Sequence, residues 1–182
     1  MMEPDAMLQT LIEELPPAIF EMPLECIFAD NFRCRALCSV LYRIAAGKDV
    51  ELTTLGVTLH FLRFDFANHV ADEEQALFQL LRERMLVSDG LEQFLTELRS
   101  QPDLTGQVVN GLEGLQESRK GRCPPLGLRE LLESFVKAER RRISVENVVL
   151  LPVARQRLSQ SDLALLGRAM RSRRLSSPAH AN

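Results

Sequence analysis

The feature that most constrains this chain is a recurrence of apolar side chains every three to four residues, sustained over four long stretches without a rival period-two alternation. Residues spaced in this way share one face of an α-helix, and such a face must be buried against another. The first stretch opens at Pro23, where a missing N–H is harmless, and runs to about Ala46, with Gly47 as its C-cap. The second spans roughly 51–86, and the third about 89–117, capped by Ser88 or Asp89 and interrupted near Pro102. The fourth follows the loop at 118–127 and covers about 128–158. A short helix within residues 1–20 precedes them, with Pro16-Pro17 after it as a linker or lid. Ser161 caps a short final helix through Arg174. Four long helices joined by short connections predict an all-α fold: an antiparallel up-down four-helix bundle with short N- and C-terminal helices. The expected organisation is an N-terminal arm over 1–22, the bundle over 23–174 and a flexible tail over 175–182.

The inward stripes follow from helical spacing. On the first helix the stripe is Leu24, Ile27 or Phe28, Asn31, Cys34, Cys38, Leu41 and Ala45; on the second, Leu55, Leu59, Leu62, Phe66, His69, Glu73, Leu77 and Leu80. On the third it is Leu91, Phe94 or Leu95, Leu98, Val108, Leu112 and Leu115; on the fourth, Leu128, Leu132, Phe135, Glu139, Arg142, Glu146, Val149 and Val153.

Composition narrows the function classes. A chain of 182 residues that is 46% hydrophobic and 26% charged suits one globular domain and is too apolar for a disordered one. Aromatics are 5% with no Trp, which argues against a stacking platform for nucleic acid. No apolar run approaches the roughly 18 residues a membrane helix needs, and the acidic N-terminus lacks the pattern of a signal peptide, so no membrane partner and a cytoplasmic location are expected. Residues 137–174 hold ten basic and three acidic side chains, a segment that reads as a solvated face or as a contact surface for an acidic partner or nucleic acid, with no nucleic-acid partner expected. The four cysteines form no CxxC pair, so Cys26, Cys34, Cys38 and Cys123 read as small hydrophobes rather than a zinc site. No nucleophile has an evident base and no phosphate-binding loop is present, so an enzyme is not expected.

The polar residues in mid-stripe carry the functional signal. An unpaired buried carboxylate costs several kcal/mol by order of magnitude. Glu73 and Glu146 sit on two different helices, and His69 lies one turn before Glu73. Carboxylates and imidazoles on facing helices of a bundle can coordinate iron, manganese or zinc.

The segment from His69 through Phe78 resembles the second-helix motif of hemerythrin-like HHE domains. The segment from Ser144 through Arg155, with Gly167-Arg-Ala-Met beyond it, is similar to their fourth helix and C-terminal region, and Pro23-Leu24 through Cys38 to their opening helix. The resemblance implies the same bundle and a non-haem di-iron centre held largely by histidines. His69 and Glu73 match the second-helix ligand pair and Glu146 the fourth-helix carboxylate. Asn31 stands at the first-helix histidine position, Gln101-Pro102 near the third-helix one and Arg142 at the fourth-helix one. His60 should face away from the stripe, nine residues from His69, and His180 falls in the tail. Arg142, permanently charged and able to bond two carboxylates, is expected to bridge Glu73 and Glu146, with Asn31 and His69 completing the network. The expected function is a hemerythrin-like domain whose di-iron site is largely lost, a non-catalytic structural or interaction module with no cofactor and an unidentified protein partner. The alternative is an iron-binding sensor of oxygen, nitric oxide or redox state that uses the residual ligands, with waters or the Cys34 and Cys38 thiols completing the set.

Overall fold

A computed structural model of the chain describes residues 4–47, 49–100, 104–118 and 122–176; among these there is no strand. Helix α1 (Pro4–Ile12) and a 3₁₀ turn (Pro17–Glu21) lead into α2 (Pro23–Ala46). Helix α3 runs without a break over 52–84 and α6 over 126–157, while α4 (Leu91–Ser100) and α5 (Thr105–Gln116) share the work of the third bundle helix. Helix α7 (Gln160–Ser176) closes the described chain. The interruption expected at Pro102, and the tail residues beyond Ser176 including His180, lie outside the described residues.

The core divides into two apolar clusters. One holds Leu37, Leu41, Leu55, Leu62, Leu112 and Leu132; the other holds Ile27, Leu77, Leu81, Leu95, Leu150 and Leu166. Burying one such side chain is worth roughly 2 kcal/mol, so each cluster is a substantial drive toward the folded state. The order in which each helix visits them gives the topology. Helix α2 passes from the second cluster to the first, α3 from the first to the second, α4 and α5 back again, and α6 returns. That alternation is the antiparallel up-down bundle. Between the clusters every long helix crosses a polar layer: Asp30 and Asn31 on α2, His69, Asp72 and Glu73 on α3, and Glu139, Arg142 and Glu146 on α6, all buried.

Two features go beyond a bare bundle. The N-terminal segment expected as an arm places Met7 and Leu11 in the first cluster. Helix α7 packs along α2, α3 and the 3₁₀ turn, so α2 and α3 are covered on a second face. Phe28, paired with Ile27 in the expected stripe, is 49% exposed. The final helix is capped by Ser159 rather than Ser161: the Asp162 N–H donates to Ser159 Oγ at 3.2 Å and the Ser159 N–H donates back to Asp162 Oδ2 at 3.0 Å.

Candidate functional site

The polar layer is shaped by π-helical turns. One begins at Glu73 (Glu73–Leu77) and another at Glu146 (Glu146–Leu150). A π turn inserts one extra residue and rotates everything after it, and such turns recur at functional sites. On α6 the cause is visible in the sequence. Pro152 has no N–H for the carbonyl four residues earlier, and its ring crowds that carbonyl. The consequence is a slip in phase: Val149 and Val153, expected to face the core, are half-buried, while Leu150 and Ala154 are fully buried in their place.

The structure brings His69, Glu73 and Glu146 together. Each offers one ligand-capable atom, and these atoms lie within 4.8 Å of one another. His69 Nε2 is 3.2 Å from Glu73 Oε1, though out of line for a hydrogen bond. Arg142 lies among the carboxylates. Its Nε donates to Glu73 Oε2 at 3.1 Å and to Glu146 Oε1 at 3.0 Å, and its Nη2 donates to Glu73 Oε2 at 2.8 Å. Its Nη1 reaches outward to Glu74 Oε1 at 3.3 Å. Asn31 does not join these contacts. Its Nδ2 donates to Asn147 Oδ1 at 3.0 Å, which corrects the expectation that it bonds within the Arg142 network. The third-helix position at Gln101-Pro102 lies outside the described residues. His60 is exposed and its ring lies tilted against Phe64 with ring centroids 4.8 Å apart.

Glu139 has the position of a site residue that sequence reasoning did not assign a role. It is buried one turn before Arg142, and it borders a cavity of about 360 Å³ that Glu74 and Arg142 also line. Its place in the stripe was legible; its approach to Glu146 depends on how α6 packs. Burial pushes Glu139 up to about 7, with the nearby Glu146 charge adding to the effect and Arg142 opposing it. Burial likewise raises Glu73 to about 7, opposed mainly by Arg142. Burial and the Glu73 charge raise Glu146 to about 8. Three buried carboxyls therefore face one buried guanidinium. Glu73 Oε1, Glu139 Oε1, Glu146 Oε2 and both His69 nitrogens have no hydrogen-bond partner among the described residues. The layer has room in its bonding for protons or for a cation.

The cysteines do not enter the ligand cluster. Cys34 is fully buried and burial, with Glu139 the next influence, pushes its thiol well up, while Cys38 is raised to about 12. These remain thiols under ordinary conditions.

A second buried ionic cluster lies beside the first, on the face covered by α7. Asp72 accepts from both Arg173 and Arg174, and Arg174 Nη2 also donates to Asp30 Oδ2 at 2.8 Å. Arg33 Nη1 bonds Asp30 at 3.2 Å, and its Nη2 pairs with Asp65 at 2.8 Å. Thus much of the charge of the basic C-terminal segment is answered within the chain: Arg142, Arg173 and Arg174 pair with buried acids, while Arg141, Arg155 and Arg157 pair with acidic side chains nearer the surface.

An antiparallel bundle with a histidine and carboxylates facing one another at mid-height is the architecture of a cation-binding helical module. The chain belongs to the hemerythrin HHE cation binding domain family, whose match covers residues 22–154. No curated protein and no solved structure matches it. Among the described residues no helix is long and apolar enough to cross a membrane.

Proposed function

We infer that this is a hemerythrin-family module in which a guanidinium and shared protons hold the central carboxylates in place of a pair of irons, and that it works as a non-catalytic structural or interaction domain. The observation that carries the reading is the seating of Arg142 on Glu73 and Glu146. A fixed cation there repels a dication and occupies carboxylate oxygens of Glu73 and Glu146 that would otherwise be free to hold one. Among the described residues the donor set also falls short for a pair of irons: one imidazole and two carboxylates gather at the centre. Two ligands of one transition metal, each about 2.0–2.2 Å from it, stand no more than roughly 4.4 Å apart. The three ligand-capable atoms lie within 4.8 Å of one another, close to that span, so small side-chain shifts bring them to the geometry of one ion. A partner protein is part of this proposal, since a module without chemistry acts by contact.

A second reading is favoured by the unpartnered atoms of His69, Glu73 and Glu146. In it the three side chains hold a single cation, and the module senses metal or redox state. Metal content of protein expressed in iron-rich medium separates the two. The first reading expects substoichiometric metal, no near-ultraviolet charge-transfer band and a melting temperature indifferent to chelator. One tightly held ion per chain, with melting lowered by chelation, establishes the second reading and refutes the first.

A further inference from the structure

We propose that the cavity between α3, α6 and the ends of α4 and α5 binds a small primary amine as its ammonium ion, with the alkyl stem against the apolar walls and the charged head at Glu139. The cavity has a volume of about 360 Å³, toward the lower end of small-molecule sites. It lies beside the polar layer, but His69, Glu73 and Glu146 are not on its lining, so its test stands apart from the metal measurements.

The walls are mostly apolar. Phe66 and Val70 come from α3, Leu98 from α4 and Phe135 from α6, and the rings of Phe66 and Phe135 meet with centroids 5.6 Å apart. The charged groups on the lining differ in depth. Glu74 is exposed and marks the mouth, while Glu139 and Arg142 are only 6% and 7% exposed and mark the inner end. A ligand entering from solvent therefore passes Glu74 before it reaches Glu139.

The sign of the ligand's charge follows from which of these groups are already committed. Glu74, Glu139 and Arg142 are the titratable side chains on the lining among the described residues. Arg142 is fully engaged: it donates to Glu73 and Glu146 within the layer and to Glu74 at the mouth. Glu139 makes no ion pair among the described residues, and its Oε1 is buried without a hydrogen-bond partner. The uncommitted group is thus an acid, no uncommitted base faces it on the lining, and no histidine enters the count. Behind it, three buried carboxyls share one guanidinium, so an arriving cation finds an acceptor and an arriving anion does not. A buried acceptor left without a donor is costly, and a primary ammonium brings three donors on an apolar stem. A bare inorganic cation would answer Glu139 but leave the apolar walls uncovered. Apolar walls with a few polar groups that fix a head group are the composition expected of a small-molecule pocket.

The test compares four probes on the full chain after chelator treatment: hexylammonium, hexanol, hexanoate and the ammonium ion itself. Titration calorimetry should show saturable one-to-one binding of hexylammonium, weaker binding of hexanol and of ammonium, and the weakest for hexanoate. Glu139→Gln keeps the shape of the side chain and removes its charge; it should weaken hexylammonium by ~10-fold, the order of one charge-assisted contact, and leave hexanol unchanged. Ala67→Phe, at an exposed position on the lining, should obstruct the cavity and weaken both hexyl probes while melting with the wild type. The probe series and Ala67→Phe decide the matter even where Glu139→Gln fails to fold. The proposal is overturned if hexylammonium does not saturate, if hexanoate or ammonium binds as tightly as hexylammonium, or if hexylammonium binds either folded variant as it binds the wild type.

Discussion

Replacing Arg142 with methionine keeps most of the stem's volume and removes the charge. The cost can be worked from the layer itself. One guanidinium balances one carboxylate among Glu73, Glu139 and Glu146. Without it that carboxylate must take up a proton or stay buried and unpaired. The proton comes at a free energy set by the distance of the solution pH from the unfolded value, 4.5 for glutamate, at about 1.36 kcal/mol per unit. The loss should therefore be about 4 kcal/mol at pH 7.5 and about 1.4 kcal/mol at pH 5.5. The first figure agrees with the roughly 3–5 kcal/mol typical of breaking a buried pair from one side. Urea unfolding followed by far-ultraviolet circular dichroism at the two pH values measures both. A difference between wild type and Arg142→Met that is the same at both pH values, or below about 1 kcal/mol at pH 7.5, refutes the view that the guanidinium neutralises a buried carboxylate.

The wild type should itself show a pH optimum near 5. Burial holds Glu73, Glu139 and Glu146 above the ordinary glutamate value, and Arg142 keeps one of the three ionised; the folded state keeps protons on the other two that the unfolded chain has released, so stability declines as pH climbs from about 4.5 toward 8. On the acid side Asp89, bonded by Arg157 and the Leu86 N–H, is lowered to about 2, so its contribution is present above about pH 4 and disappears as pH falls toward 2. Melting temperatures across pH 2–8 check both limbs, and Asp89→Asn should flatten the acid one. Arg142→His should raise affinity for a transition metal, read by cobalt absorption; unchanged affinity would mean that position 142 is not the missing ligand position. Gly167→Ala should destabilise by roughly 2 kcal/mol, because a Cβ there would meet the Phe20 carbonyl oxygen at 2.2 Å and backbone must move. Gly111→Ala should cost far less: its close contact is the flexible end of Leu128, and alanine favours the helix.

The family and the bundle were legible because both rest on local order. Helical spacing depends on which residues stand three and four apart, and the motif from His69 to Phe78 is contiguous. The same spacing marked Glu73, Arg142 and Glu146 as inward-facing, since a residue's direction on a helix follows from its position in the chain. It failed on α6 beyond Glu146, where the extra residue of a π turn moved Leu150 and Ala154 into the places expected for Val149 and Val153. Pro152 was the available sign. The sequence also could not say that Asn31 would bond Asn147, or that Arg173 and Arg174 would turn inward to Asp72. Those contacts join residues more than 100 positions apart in the chain; the first forms when α2 packs against α6, and the others when α7 covers a second face of α2 and α3.

From its sequence alone, then, the chain's helices, their inner faces and the presence of charged groups among them were determined, because each is a property of neighbouring residues. Which charge meets which, how many carboxylates share one guanidinium, and where a cavity is left beside Glu139 were decided by the packing of helices. Ion pairing and enclosed space exist between elements, and no single stretch of chain specifies them.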